Sequence, residues 1–221
     1  MTYRKRGARI LCIVCAACIL LTLLCSCSKG NKFEADGAVY KDKKTDVSYE
    51  AAPACYEPIS VGSEVYGESE NVSFYEIEGQ NPLNWICEEG GTVFYADGVE
   101  LPSLDEMEIS YINICVETNT TVTRTKVQSA EDISDIVSAY VSADSIYYRG
   151  NTPALTYKIR FADSSNGVFY SVVFVRYAED YTVKETDGTE KNYGKDFLYN
   201  RFEDRFVQAP DALVKYINEL S

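Results

Sequence analysis

The sequence predicts an α+β fold: an antiparallel sheet of about five or more strands with two amphipathic helices packed on one face. Three observations carry this expectation. Two segments repeat apolar residues at helical spacing, several others alternate or run apolar over strand lengths, and turns rich in Gly, Asn and Asp separate them at short intervals. A chain of 221 residues, 46% hydrophobic with 13 Gly and 6 Pro, is neither collagenous nor wholly disordered, and its length suits one globular unit.

The amino-terminal segment reads as an address. Arg4, Lys5, Arg6 and Arg9, with no acid among them, precede an apolar run from Ile10 to Leu24 broken only by Thr22, the layout of a secretion signal. A spanning helix needs about 20 apolar residues, so this run is short for a permanent anchor. Next comes Leu24-Cys25-Ser26-Cys27, which resembles the lipobox of bacterial lipoproteins, with Cys27 as the modified cysteine. Cys25 fits that role less well, because Leu24 would then stand where the pattern wants a small residue. The resemblance implies a diacylglyceryl group on the Cys27 sulfur, cleavage after Ser26, and a protein lipid-anchored to the cell membrane on its extracytoplasmic side. Two or more acyl chains, at about 0.8 kcal/mol per buried methylene, hold a protein where one chain is marginal.

The domain plan is therefore a signal peptide over 1–26, a flexible tether over 27–45 that is polar and poor in large apolar residues, and a single globular domain over 46–221. Within 46–78, Tyr49, Tyr56, Tyr66, Phe74, Tyr75 and Ile77 suggest strands, while Glu64, Glu68, Glu70, Glu76 and Glu78 suggest a solvated acidic face. A short helix is expected from Asn81-Pro82 through Trp85 and Ile86. Residues 109–117 and 121–127 read as a hairpin. The first amphipathic helix has Ser129 as N-cap and a stripe of Ile133, Ile136, Val137, Tyr140 and Val141. Residues 155–161 alternate, 168–177 run almost continuously apolar, and 197–207 close the strand set. The second helix begins at Pro210 and carries Leu213, Tyr216, Ile217 and Leu220.

Composition removes whole classes of chemistry. With no histidine, the Ser/His/Asp and Cys/His nucleophile pairs and the usual His-containing zinc sets are gone. Residues 1–26 hold four of the 21 Lys and Arg and none of the 34 acids, so the remainder carries a net charge of about −17, a field that repels nucleic acid and anionic headgroups. Beyond the lipobox stand Cys55, Cys87 and Cys115. Either one disulfide forms among them and leaves a free thiol, or all three are small buried hydrophobes. Gly188 to Lys195 narrowly misses a phosphate-cradling loop and reads as a hairpin tip.

Turn chemistry assigns faces. A two-residue loop at Asp187-Gly188 would pair Phe169 with Phe206, Val173 with Phe202 and Tyr177 with Leu198. A three-residue loop at Ser165-Asn166-Gly167 would pair Ile159 with Val173 and Tyr157 with Val175. The opposite face then carries Lys158, Arg160, Arg176, Arg201 and Arg205 together with Tyr170, Phe174, Tyr199 and the acid Glu203, a basic aromatic surface suited to a carboxylate, a phosphate or a sugar-containing polymer. In the competing reading the Glu-rich stretch 64–78 packs over that face and neutralises it. Together these features point to an envelope lipoprotein with a non-catalytic binding domain for an envelope partner or anionic ligand, without cofactor, metal or nucleic acid. The alternative is a carboxylate-dependent cell-wall hydrolase, since paired acids work without histidine. The lipobox makes a first prediction: metabolic labelling with a fatty acid marks the protein, and Cys27→Ala abolishes the label. Label persisting in that variant refutes the anchor.

Overall fold

The computed structural model describes residues 30–184 and 187–220; Cys27 and the signal segment lie outside the described residues. The first eight strands are β1 (Asn31–Asp36), β2 (Val39–Asp42), β3 (Ser48–Ala51), β4 (Tyr56–Pro58), β5 (Val61–Glu68), β6 (Ser73–Ile77), β7 (Trp85–Glu88) and β8 (Val93–Ala96). All but β4 close into a barrel in the order β1-β2-β3-β8-β7-β6-β5, sealed by parallel pairing of Asn31 with Gly67 and Lys32 with Glu68. Phe33, Tyr49, Phe74, Ile86, Phe94 and Ala96 fill its interior, with the Phe33 and Phe74 rings 4.6 Å apart. The closure requires glycine at 67, because a Cβ there would sit 2.3 Å from the Phe33 ring. Residues 31–42, expected in the tether, are thus the first barrel hairpin. The short helix expected after Asn81-Pro82 is a turn that leads into β7.

The second half holds β9 (Ile109–Glu117), β10 (Thr121–Val127), α1 (Ala130–Ser142), β11 (Leu155–Asp163), β12 (Val168–Arg176), the ribbon β13 (Thr182–Lys184) and β14 (Glu190–Asn192), then β15 (Asp196–Asn200), β16 (Arg205–Gln208) and α2 (Asp211–Asn218). The larger sheet runs β10-β9-β11-β12-β15-β16. Ser129 caps α1 by accepting from the Asp132 backbone N–H at 3.3 Å, as its sequence implies. Ile133, Ile136 and Tyr140 of α1 and Leu213 and Ile217 of α2 are buried in one core with Ile112, Ile159, Tyr170, Val172 and Phe174 of the sheet. That core also takes Ile77, Trp85, Cys87 and Val93, the residues that alternate with the barrel's inward set. Strands β7 and β8 are therefore buried on both faces.

The architecture is mainly β, a closed barrel beside a second sheet, and the α+β expectation is overturned. The reason lies in the barrel's size. Six buried side chains make up its inner core, so its strands are short, and their apolar period is too sparse to outweigh the two conspicuous helices.

Both expected hairpin registers are also corrected. Asp163, fully buried, accepts from the backbone N–H groups of Ser165 and Asn166 and from both their side chains. This draws Ser164 into the loop, and Asp163 pairs with Val168 across four residues rather than three. A one-residue slip flips every side chain, so Ile159 faces Val172 and Tyr157 faces Phe174. Asp187-Gly188 turns the β13–β14 ribbon instead of joining β12 to its neighbour, and β12 meets β15 with Val173 opposite Tyr199. The run expected over 197–207 is itself a hairpin, β15–β16, whose turn starts with the Asn200 side chain accepting from the Phe202 backbone N–H at 2.9 Å.

Strand β4 joins the two halves. β15 pairs with β12 only from Val173 onward, which leaves Val168 to Tyr170 for β4 to occupy along the same edge. Its Glu57 takes the Arg160 guanidinium, the Lys158 ammonium at 2.8 Å and the Ser171 hydroxyl at 2.6 Å. Burial raises the Glu57 pKa, yet the bonds from Lys158 and Ser171 and the charge of Arg160 outweigh it and hold the carboxyl below its ordinary value. A depressed pKa stabilises the fold above the ordinary carboxylate range, and that stability is lost as pH falls through the folded value. Removing the charge leaves two cations short of a partner, at a cost on the order of 2–3 kcal/mol. Glu57→Gln should then lower Tm at pH 7 by roughly 5–10 °C, and thermal melts should show the gap to wild type closing below about pH 4.

The three cysteines are free and buried. Burial pushes the thiols of Cys55 and Cys87 up to about 11, so neither presents a thiolate near neutrality. Iodoacetamide at pH 8 should leave all three untouched in the native protein, and all three should react after unfolding without reductant. A count of one in the unfolded chain would establish a disulfide.

Candidate functional site

The outer face of the larger sheet, turned away from the helices, carries the sites of interest. Pairing of Lys158 with Cys115 and Val173, and of Val173 with Tyr199, sets those four side chains in one row across β9, β11, β12 and β15. The next row holds Asn113, Arg160 and Ser171, and beyond it stand Tyr111 and Phe169. Lys126 lies 3.5 Å over the Tyr111 ring and Arg160 lies 5.1 Å over Phe169. One end of this face is closed: Val175, Tyr177, Tyr181, Phe197 and Phe206 form a small core of their own, packed against Tyr148, Val183 and Tyr193.

The other end is open. A groove of about 350 Å³ runs over Val173, Tyr199, Arg201 and Phe202, with Lys158 and Glu117 on its far wall. Val173 is 38% and Phe202 47% exposed. Tyr199 is held from behind by Tyr148, stacked at 4.4 Å. A second depression of about 440 Å³, lined by Glu57, Pro58, Gly91, Thr92 and Arg160, shares Lys158 and Ala54 with the groove. A larger one of about 720 Å³ opens at the barrel end, where Lys32 pairs with Glu68 and Lys43 with Glu34.

The eight residues expected on one basic aromatic face divide between two. Lys158, Arg160 and Tyr199 are on the outer face, and Arg201 stands beside them in the β15–β16 turn. Tyr170 and Phe174 are buried in the main core. Arg176 shares their side of the sheet, where it binds Asp196 and donates to the Asn218 side chain of α2 at 2.8 Å. Arg205 donates to the carbonyls of Tyr140, Val141 and Ala143 at 2.7, 2.8 and 3.0 Å. It supplies from a distant strand the cation that the last turn of α1 lacks. The single-patch arrangement is therefore corrected: the added loop residue at Ser164 turns Tyr170, Phe174 and Arg176 away from Lys158 and Arg160, and the β15–β16 turn separates Arg205 from Tyr199.

Charge on the outer face is balanced locally. Lys158 bridges Glu57 and Glu117, each at 2.8 Å, and Arg160 shares Glu57. The neutralising acids come from β4 and β9 and not from the Glu-rich stretch 64–78. Arg201, set 4.7 Å over Phe202, has no ion pair among the described residues. What the groove offers is a flat aromatic and aliphatic floor with polar groups of both signs at its rim. Among the described residues no cluster of His, Cys, Asp or Glu could hold a metal ion. Sequence reasoning missed Glu57, Glu117, Ser171, Tyr111, Lys126 and Phe169; Ser171 and Phe169 follow from the β11–β12 register, Glu117, Tyr111 and Lys126 from the pairing of β9 with β11 and β10, and Glu57 gives no local signal. Comparison with known protein families, with curated proteins and with solved structures finds no match to this chain.

Proposed function

We propose that the chain is a lipid-anchored envelope lipoprotein, held through Cys27, whose folded part is a non-catalytic module that binds a cell-wall glycan in the groove over Val173, Tyr199 and Phe202. The carrying observation is that exposed apolar and aromatic floor beside charges already paired by Glu57 and Glu117. A sugar presents an apolar ring face to aromatic side chains and hydroxyls to groups of either sign, which such a surface matches. A strongly anionic ligand suits it less, because Lys158, one of its two cations, is already engaged by Glu57 and Glu117.

The hydrolase alternative needs one carboxyl kept protonated near neutrality to act as general acid. Of the acids near the groove, Glu57 is held in the opposite direction by Lys158, Ser171 and Arg160, and Glu117 is paired with Lys158.

Co-sedimentation of the full chain with insoluble cell-wall polysaccharide tests the reading. Each aromatic contact contributes about 0.5–1.5 kcal/mol, so Tyr199→Ala with Phe202→Ala should weaken binding by roughly 5- to 150-fold while Cys27→Ala leaves it intact. Retention by the double variant at wild-type level removes the groove from the mechanism. Raising salt from 50 to 500 mM should change the affinity by less than about twofold, since no net charge pairing drives it; a steep salt dependence would point to an anionic ligand instead.

A further inference from the structure

A second, smaller cavity of about 260 Å³ lies on the other side of the β15–β16 turn, lined by Ser103, Leu104, Asp105, Tyr140, Val141, Tyr170, Glu203 and Arg205. Four buried side-chain polar atoms among the described residues lack a hydrogen-bond partner, and two of them, Tyr140 Oη and Arg205 Nε, belong to this wall. Tyr140 is 2% exposed. The neighbouring Tyr170 hydroxyl donates to Glu203 and accepts from Asn200 Nδ2 at 2.7 Å, and its geometry makes no hydrogen bond to Tyr140 Oη. Leaving two such groups unmet costs about 1–3 kcal/mol each, and both residues line this one cavity beside the exposed Glu203.

The chemistry of the wall narrows the occupant. Arg205 Nε–H needs an acceptor, the Tyr140 hydroxyl can give or accept, and Glu203 keeps lone pairs for a donor. Glu203 and Asp105 together repel an anion, while Arg205, engaged with the end of α1, opposes a cation. A pair of neighbouring hydroxyls, each donor and acceptor at once, meets every requirement without net charge. We propose that this cavity binds a small uncharged polyol, either a free monosaccharide or the terminal sugar of a glycan, at a site separate from the outer groove.

Calorimetric titration of the full chain in detergent with D-glucose, N-acetylglucosamine and myo-inositol tests this, alongside an N-acetylglucosamine tetrasaccharide. In parallel, the Arg205 Nε–H resonance is followed. Binding of a free compound, or of the tetrasaccharide alone, distinguishes the two sources, and either should shift that resonance. Tyr140→Phe should reduce affinity at least about tenfold while Tm stays level or rises, because it removes a hydroxyl the fold leaves unpartnered. Glu203→Gln, an exposed turn position, should also weaken binding, read as a smaller shift of the Arg205 resonance, which occupation of the outer groove does not move. An unmoved Arg205 resonance with all four probes, or undiminished binding in both Tyr140→Phe and Glu203→Gln, overturns the proposal and leaves these atoms to water.

Discussion

Three residues of β4 hold the molecule together. Val168 to Tyr170 lie at an edge of β12 that β15 is too short to reach, and Tyr56 to Pro58 pair there from within the barrel half. An open edge of that kind invites pairing with another chain, so β4 both links the halves and closes the exposed ladder. Its two side chains with the most contacts serve opposite faces. Tyr56 packs edge-on against Tyr170 in the main core, and Glu57 gathers Lys158, Arg160 and Ser171 outside. The partners lie more than 100 residues apart, so loop-closure entropy opposes this junction until most of both halves is formed.

Legibility of the fold follows the range of the interactions. α1 was readable to its first residue because Ser129 caps it with a bond to Asp132 only three positions on, and its stripe repeats within one helix. Strands β9 to β12 were readable because each runs long enough to show its period. The barrel was not, since its closure rests on Phe33 lying across Gly67, a contact between segments that each look like solvated loop. The hairpin faces were lost for a third reason: a three-residue loop at Ser165-Asn166-Gly167 leaves Ser164 in the strand, whereas the Asp163 carboxylate draws it into the turn.

The candidate site shows the same division. Lys158, Arg160, Tyr199 and Arg201 could be named from residue type and rough position, and they do gather at one end of one face. Tyr170, Phe174, Arg176 and Arg205 carry equal chemical promise in sequence, but the other side of the sheet gives them structural work: filling the core, tying α2, and ending α1. Neither the groove nor the smaller cavity is visible without the β15–β16 turn, which splits what reads as one continuous strand.

The loop between β11 and β12 stores information as length rather than as chemistry. Its Asp163 side chain selects four residues, and that number decides that Ser171 and Val173 share the outer face with Lys158 and Arg160 while Val172 and Phe174 join Ile159 and Tyr157 in the core. Exchanges of side chain at Ser164 could pass almost unnoticed during divergence. Losing a single codon there would turn one strand over against its neighbour, burying charge and exposing aromatic rings in one step, so lineages of this chain should vary at Ser164 and never in the count of that loop.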